Sequence, residues 1–189
     1  MADGTTTTGP GAQRRGTQSM GDLVRSLALL LVIVVVVVLI TFRPKGQEIH
    51  VVDYRATLAS LRVGGEPFPL VAPEGLDNRW RATSAYYDPP AVPGARGGTW
   101  HVGFVTPDDQ YAGFEQTDGA VGDVLQQVLT SPHPDATSVL VGGRPWQQWE
   151  DGTGHRALVR TDGGTTVVVD GSAGWPELER LAAALRASG

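Results

Sequence analysis

The chain has 189 residues, a formal net charge of −5, no cysteine and one lysine against fourteen arginines. Without cysteine there is no disulfide to staple the fold, no thiolate to act as nucleophile or metal ligand, and no attachment point for a cysteine-linked lipid. Charge is unevenly spread: residues 46–189 carry ten Arg, no Lys and eighteen Asp plus Glu, net −8, a balance that repels phosphate backbones and argues against nucleic acid as a partner.

Residues 1–22 include TTTTGPG and RRGTQ, contain almost no apolar side chain, and read as a disordered cytoplasmic tail. The next stretch differs sharply. Residues 26–42, SLALLLVIVVVVVLITF, hold no charge and include six valines, five leucines and two isoleucines. At ~1.5 Å per residue, residues 23–42 make a helix of about 30 Å, one hydrocarbon thickness. β-Branched residues are mediocre helix formers in water, but an isolated span in lipid must satisfy every backbone donor internally, and only a helix does so. Arg25 can snorkel at one end, while Arg43, Pro44 and Lys45 close the other.

A cleaved signal would have a shorter apolar core and a small-residue cleavage site, which Thr41-Phe42-Arg43-Pro44-Lys45 does not supply. Arg14-Arg15 resembles a twin-arginine export signal only in the pair itself. A buried core helix would keep a polar face, and this one has none. The basic residues flanking the span nearly balance, so orientation rests on the short tail and large C-terminal domain: a signal anchor with residues 53–189 outside the cytoplasm, behind a tether at 43–52.

In the outer domain, Asp53 is placed to cap a helix carrying Tyr54, Leu58 and Leu61 on one face, with Gly64-Gly65 ending it. Pro67, Pro69 and Pro73 forbid a helix there and predict an extended run over the surface. Three strand signals follow, over residues 80–87, 99–106 and 110–116, separated by Asp88-Pro89-Pro90 and Pro107-Asp108-Asp109, and they predict a meander. Val121, Val124, Leu125, Val128 and Leu129 then fall at helical spacing behind a candidate cap at Asp118, and Ser131-Pro132-His133-Pro134 stops that helix. Four strands with short turns follow, at residues 137–141, 145–150, 155–161 and 165–170, too close together to be parallel neighbours. A last helix opens near Gly174 and Trp175, with Leu178, Leu181, Ala182 and Leu185 on its buried stripe. The fold class is α+β: an N-terminal transmembrane helix, then an antiparallel sheet packed with helices.

The segments PFPLVAPEGLDNRW (67–80), WHVGFVT (100–106), Trp146-Gln147-Gln148-Trp149, RALVR (156–160) and Trp175-Pro176-Glu177-Leu178 resemble the actinobacterial family catalogued as domain of unknown function 4245. The likeness runs from about residue 23 to the end. It implies a single-pass envelope protein with no assigned activity, and it supplies no catalytic residues. It also implies Ser or Thr before the tryptophan of the last helix, where this chain has Gly174. The element order is similar to the PsbP-like α/β/α sandwich, an architectural likeness that carries no function.

No motif marks a catalytic, cofactor or metal site. Gly152-Thr153-Gly154-His155-Arg156-Ala157 fits the dinucleotide pattern by letter, but a strand follows where the pyrophosphate needs a helix N-terminus. Ser172 stands between a strand and a helix, where a nucleophile elbow would sit, with Asp170 in place of the first glycine; with His101 or His155 it makes the candidate for a hydrolase. His50, His101, His133 and His155 lack metal-ligand spacing, and the acidic pairs Asp108-Asp109 and Glu150-Asp151 lie in turns. Trp80, Trp100 and Trp175 fall on apolar stripes. Trp146 and Trp149, three apart on one strand, point to opposite faces, and the more exposed of them is the candidate recognition surface.

The expectation is a non-enzymatic interaction module of the cell envelope, integral to the membrane by one span, with an envelope protein or lipid as partner. An envelope hydrolase using Ser172 and a carrier of an apolar ligand are the alternatives. No cofactor is implied.

Overall fold

The computed structural model describes residues 18–41, 50–65 and 68–187. The chain divides into two compact units, residues 1–48 and 49–189. Of the tail expected at 1–22 and the tether expected at 43–52, residues 1–17 and 43–49 lie outside the described residues, and residues 18–22 are helical rather than disordered. In the first unit α1 (Gln18–Thr41) is a helix of 24 residues. Its side chains are described at 24–35 and 37, and from Leu29 to Val35 every one is apolar and exposed. Among the described residues no helix is long and apolar enough to cross a membrane.

The second unit is α+β. Helix α2 (Tyr54–Val63) starts at Asp53, whose carboxylate accepts the Arg55 N–H. After the short strand β1 (Val71–Pro73) comes the meander β2 (Arg81–Asp88), β3 (Thr99–Val105) and β4 (Tyr111–Thr117). Helix α3 (Val121–Val128) leads to a second meander of β5 (His133–Val141), β6 (Arg144–Glu150), β7 (Arg156–Asp162) and β8 (Thr165–Gly171). Helix α4 (Trp175–Ala184) and the strand β9 (Leu185–Ala187) end it. The two meanders join through β4 and β8 into one antiparallel sheet of order β2-β3-β4-β8-β7-β6-β5.

Alternation along the strands divides the sheet into two faces. Trp100, Val102, Phe104, Ala112, Phe114, Leu158, Val169 and Trp146 point to one, beneath α2 and α4, where Leu58, Leu178 and Leu181 meet them. Each large side chain buried there contributes roughly 1.5–3 kcal/mol. The other face is covered only in part: Val124, Leu125 and Leu129 pack on Ala157, Val159 and Val168. Helices therefore lie on both faces.

Three local expectations change. The extended run after Pro67 is not a surface strap: Leu70, Val71 and Ala72 are buried, and β1 pairs antiparallel with β9, a strand absent from the pattern reading. Asp118 does not cap α3; its carboxylate accepts the Gly97 N–H at 2.7 Å, and the helix starts at Ala120 with no side-chain cap. Strand β5 begins at His133, four residues before the expected start at Thr137, and it tolerates Pro134 because β5 is an edge strand and its ladder slips between Pro134 and Ser138. The last helix begins at Gly174 without a side-chain cap, as the glycine there dictates.

Candidate functional site

The uncovered half of the second face is polar. Strand pairing sets Tyr86 opposite His101 and His101 opposite Glu115; one row over, it sets Ser84 opposite Gly103, Gly103 opposite Gly113 and Gly113 opposite Asp170. Strands β2, β3, β4 and β8 thus bring seven residues to one patch. A register shift between Ala82 and Ser84 marks a bulge in the edge strand β2, the kind of irregularity that re-aims a side chain. The two glycines leave room for their neighbours: a Cβ at Gly103 would stand 2.6 Å from Ser84 Oγ, and one at Gly113 would stand 2.6 Å from the Tyr111 hydroxyl, so either side chain would have to shift.

These groups form a chain of hydrogen bonds. Ser84 Oγ lies 2.8 Å from His101 Nε2, and His101 Nδ1 lies 2.7 Å from Glu115 Oε1. The network assigns the ring proton to Nδ1, which donates to Glu115, leaving Nε2 to accept from the serine hydroxyl. The Tyr86 ring stacks on the imidazole at 4.6 Å. The Asp170 carboxyl is within hydrogen-bonding reach of Glu115.

Burial governs the electrostatics. Glu115 and Asp170 are only 8% and 3% exposed. Desolvation pushes the Glu115 carboxyl up to about 7, against the hydrogen bond from Asp170. Desolvation and the neighbouring Glu115 hold the Asp170 carboxyl well above the ordinary carboxylate range. Desolvation lowers the His101 imidazole, which favours its neutral form, while the Asp170 charge opposes it. Glu115 Oε2 and Asp170 Oδ1 have no donor. A proton held between the two carboxyl groups removes that deficit and leaves the pair with one negative charge.

Over this pair lies a cleft of about 340 Å³, lined by Tyr86, His101, Tyr111, Glu115 and Asp170 from the sheet, Gln127 and Val128 from α3, and His155 from the β6–β7 turn. Its lining presents carboxyl, imidazole, phenol and amide groups. Among the described residues no group of three or more His, Asp or Glu side chains could hold a metal ion.

The residues singled out by sequence scatter. His101 lies at the centre of the cluster and His155 on its rim, whereas His50 and His133 are exposed. Ser172 does not meet a histidine; its hydroxyl accepts the Tyr111 N–H at 3.2 Å at the end of the β4–β8 ladder. Gly152-Thr153-Gly154 is the β6–β7 turn, tied by Asp151, whose carboxylate accepts from the Thr153 N–H and hydroxyl and from the Thr130 N–H, bonds that hold it at about 2. Trp146 is fully buried beneath Arg160, and Trp149 packs half-buried against the α3 cluster. Ser84, Glu115 and Asp170 carried no motif. The signal available was a histidine, a glutamate and an aspartate, one on each of β3, β4 and β8.

A family model described as "Protein of unknown function (DUF4245)" matches residues 15–185, a reach that begins earlier than the resemblance implied. No curated protein and no solved structure matches the chain.

Proposed function

The chain belongs to the DUF4245 family of proteins of unknown function, and from that premise we propose that it is a single-pass membrane protein whose extracytoplasmic domain binds a hydroxyl-rich ligand in the cleft over Glu115 and Asp170. The observation that carries this reading is the buried carboxyl pair of Glu115 and Asp170 at the floor of an open cleft. Burying two acids costs stability that an apolar pair would not, and such arrangements concentrate at functional sites. Carboxyl oxygens, the Gln127 amide and two imidazoles offer the mixed acceptors and donors that hydroxyls require. Tyr86, 53% exposed, adds a flat aromatic face at the mouth. The polar lining suits an apolar cargo poorly.

Anchoring is supported by α1, whose apolar side chains from Leu29 to Val35 are exposed in succession, an arrangement that water penalises and lipid does not. Helices on both faces of an antiparallel sheet suit the PsbP-like architecture. The test is native mass spectrometry of the full-length protein gently extracted from its own membrane. A bound glycan or polyol in the wild type, absent from Asp170→Asn and Glu115→Gln, is the expected result; an empty cleft in every preparation argues against the reading.

A hydrolase is the second reading, and one observation favours it: Ser84, His101 and Glu115 have the hydroxyl–imidazole–carboxylate connectivity of an activated nucleophile. This reading moves the nucleophile from Ser172 to Ser84. A fluorophosphonate probe should then label the wild type and not Ser84→Ala, and an unlabelled wild type removes it.

A further inference from the structure

Three of the ten arginines of the outer domain converge far from the carboxyl cleft. Arg160 on β7 lies over the Trp146 ring, its guanidinium carbon 4.7 Å from the ring centroid. Its Nε is buried and has no partner, and no carboxylate lies within ion-pair distance of it among the described residues. Arg160 separates two cavities. One of about 480 Å³ lies against β5 and β6, lined by Ser138, Arg144, Gln147 and Thr161. The other, of about 300 Å³, lies against β1 and β9, lined by Gln116, Arg144, Thr165 and Arg186. Both are lined by Arg144, Arg160 and a single carboxylate, Asp162.

That carboxylate does little to neutralise the group. It stands 3.9 Å from Arg144, with both side chains well exposed, a distance at which solvent screens most of the attraction. Arg186 is held in place by the Ala183 and Leu185 carbonyls, to which its Nη1 donates. The guanidinium of Arg160 is also pushed down from its ordinary value by burial and by the charge of Arg144. Three arginines with one exposed carboxylate among them, in a domain of net charge −8, form a local excess of positive charge that the composition alone would not suggest. Stacking on an aromatic face orients a guanidinium plane and leaves its edge N–H groups for an acceptor.

We infer that the groove around Arg144, Arg160 and Arg186 is a binding site for a phosphoryl group. Phosphate fits the donor set because a guanidinium fork binds two of its oxygens at once, and two forks match its charge of about −2 near neutral pH. The Ser138 hydroxyl lies on the wall of the cavity against β5 and β6, beside Arg144 and Arg160, and can donate to a remaining oxygen, whereas the Thr165 hydroxyl in the other cavity donates to the Asp162 carbonyl. The source is either free phosphate or the headgroup of a phospholipid, which share this chemistry.

The experiment uses full-length protein in non-ionic detergent, titrated with inorganic phosphate and, separately, with dihexanoyl phosphatidic acid, each against sodium chloride at equal ionic strength. Binding is read from tryptophan emission, since Trp146 lies under Arg160, and from 31P line width. Both probes should bind saturably to the wild type. Arg160→Gln should weaken binding at least tenfold, and Arg160→Lys, which keeps the charge and loses the fork, should fall between. Arg144→Gln changes an exposed side chain and tests the site should Arg160→Gln fail to fold. Tighter binding of the short-chain lipid assigns a headgroup; equal or weaker binding assigns free phosphate. No saturable response beyond the chloride control, or unchanged affinity in Arg144→Gln and Arg160→Gln, overturns the inference.

Discussion

His101 Nδ1 lies 2.7 Å from Glu115 Oε1 across the β3–β4 ladder, and both residues are buried on the sheet face that also carries Asp170. One contact therefore ties an imidazole to a carboxyl that lies beside the Asp170 carboxyl, and burial disfavours charge on all three groups. What the cluster does to stability depends on which members are charged.

The first prediction concerns pH. Glu115 and Asp170 have raised values in the folded state, so above the ordinary carboxylate range the native protein holds more protons than the unfolded chain, and stability falls as pH rises. His101 acts in the opposite sense: its value is lowered, the unfolded chain holds the extra proton, and stability rises with pH up to about 6.5. Above that point only the carboxyl contribution remains. Urea midpoints should therefore decline from about pH 6.5 to 8. Asp170→Asn should flatten the decline, because an amide can donate to an ionised Glu115. An identical slope in wild type and variant would sink the idea.

Removing members of the hydrogen-bonded chain should cost unequal amounts. Ser84→Ala leaves His101 Nε2 without its donor at a partly buried site, a loss of about 1 kcal/mol. His101→Ala strips Glu115 of its donor and empties the space beneath the Tyr86 ring, and should cost roughly 2–4 kcal/mol. Denaturant titration of the solubilised full-length protein at pH 6.5 checks the order. A larger loss for Ser84→Ala than for His101→Ala would contradict it.

The sheet was legible because its strands are bounded by local turn signals, Pro107-Asp108-Asp109 in the first meander and paired glycines in the second. Two helices announced themselves by Leu58 and by Leu178 and Leu181 at helical spacing, and both pack on the core as that spacing requires. The site was less legible for a physical reason. Ser84, His101, Glu115 and Asp170 meet only through the pairing of β2 with β3, β3 with β4, and β4 with β8. The last of these joins residues some fifty positions apart, and no local period encodes it. Ser172 drew attention because it had the local look of a nucleophile, whereas Ser84 sits in mid-strand and owes its partner to a bulge.

Gly171 should tolerate no side chain. A Cβ there would overlap the Tyr111 carbonyl oxygen and crowd the Ala112 Cα, and backbone atoms cannot turn away as a side chain can. Because the same segment closes the β4–β8 ladder, Gly171→Ala should separate the two meanders at that end. We expect a loss of about 1–3 kcal/mol, and faster amide exchange in β4 and β8 than in β6. A variant with unchanged stability would show that the ladder can open there without cost.

The pairing of β1 with β9 leads to the last prediction. Three short residues cannot hold a two-stranded ribbon by themselves, and side chains of the main sheet supply what is missing. Gln116 Oε1 accepts the Val71 N–H at 2.8 Å, its Nε2 donates to the Pro69 carbonyl at 2.8 Å, and the Trp100 indole N–H donates to the Val71 carbonyl at 3.0 Å. Gln116 is only 1% exposed, so its amide is satisfied by this strand and by little else. Gln116→Ala leaves the Val71 N–H and the Pro69 carbonyl without partners, which should cost about 1–3 kcal/mol. The loss should be local, since Trp100 and Leu70 remain packed in the core. Hydrogen exchange should therefore quicken through residues 69–73 and 185–187 while β3 and β8 stay protected. Exchange that quickens evenly over the whole sheet would mean that Gln116 supports the core itself and that the ribbon is held by other contacts.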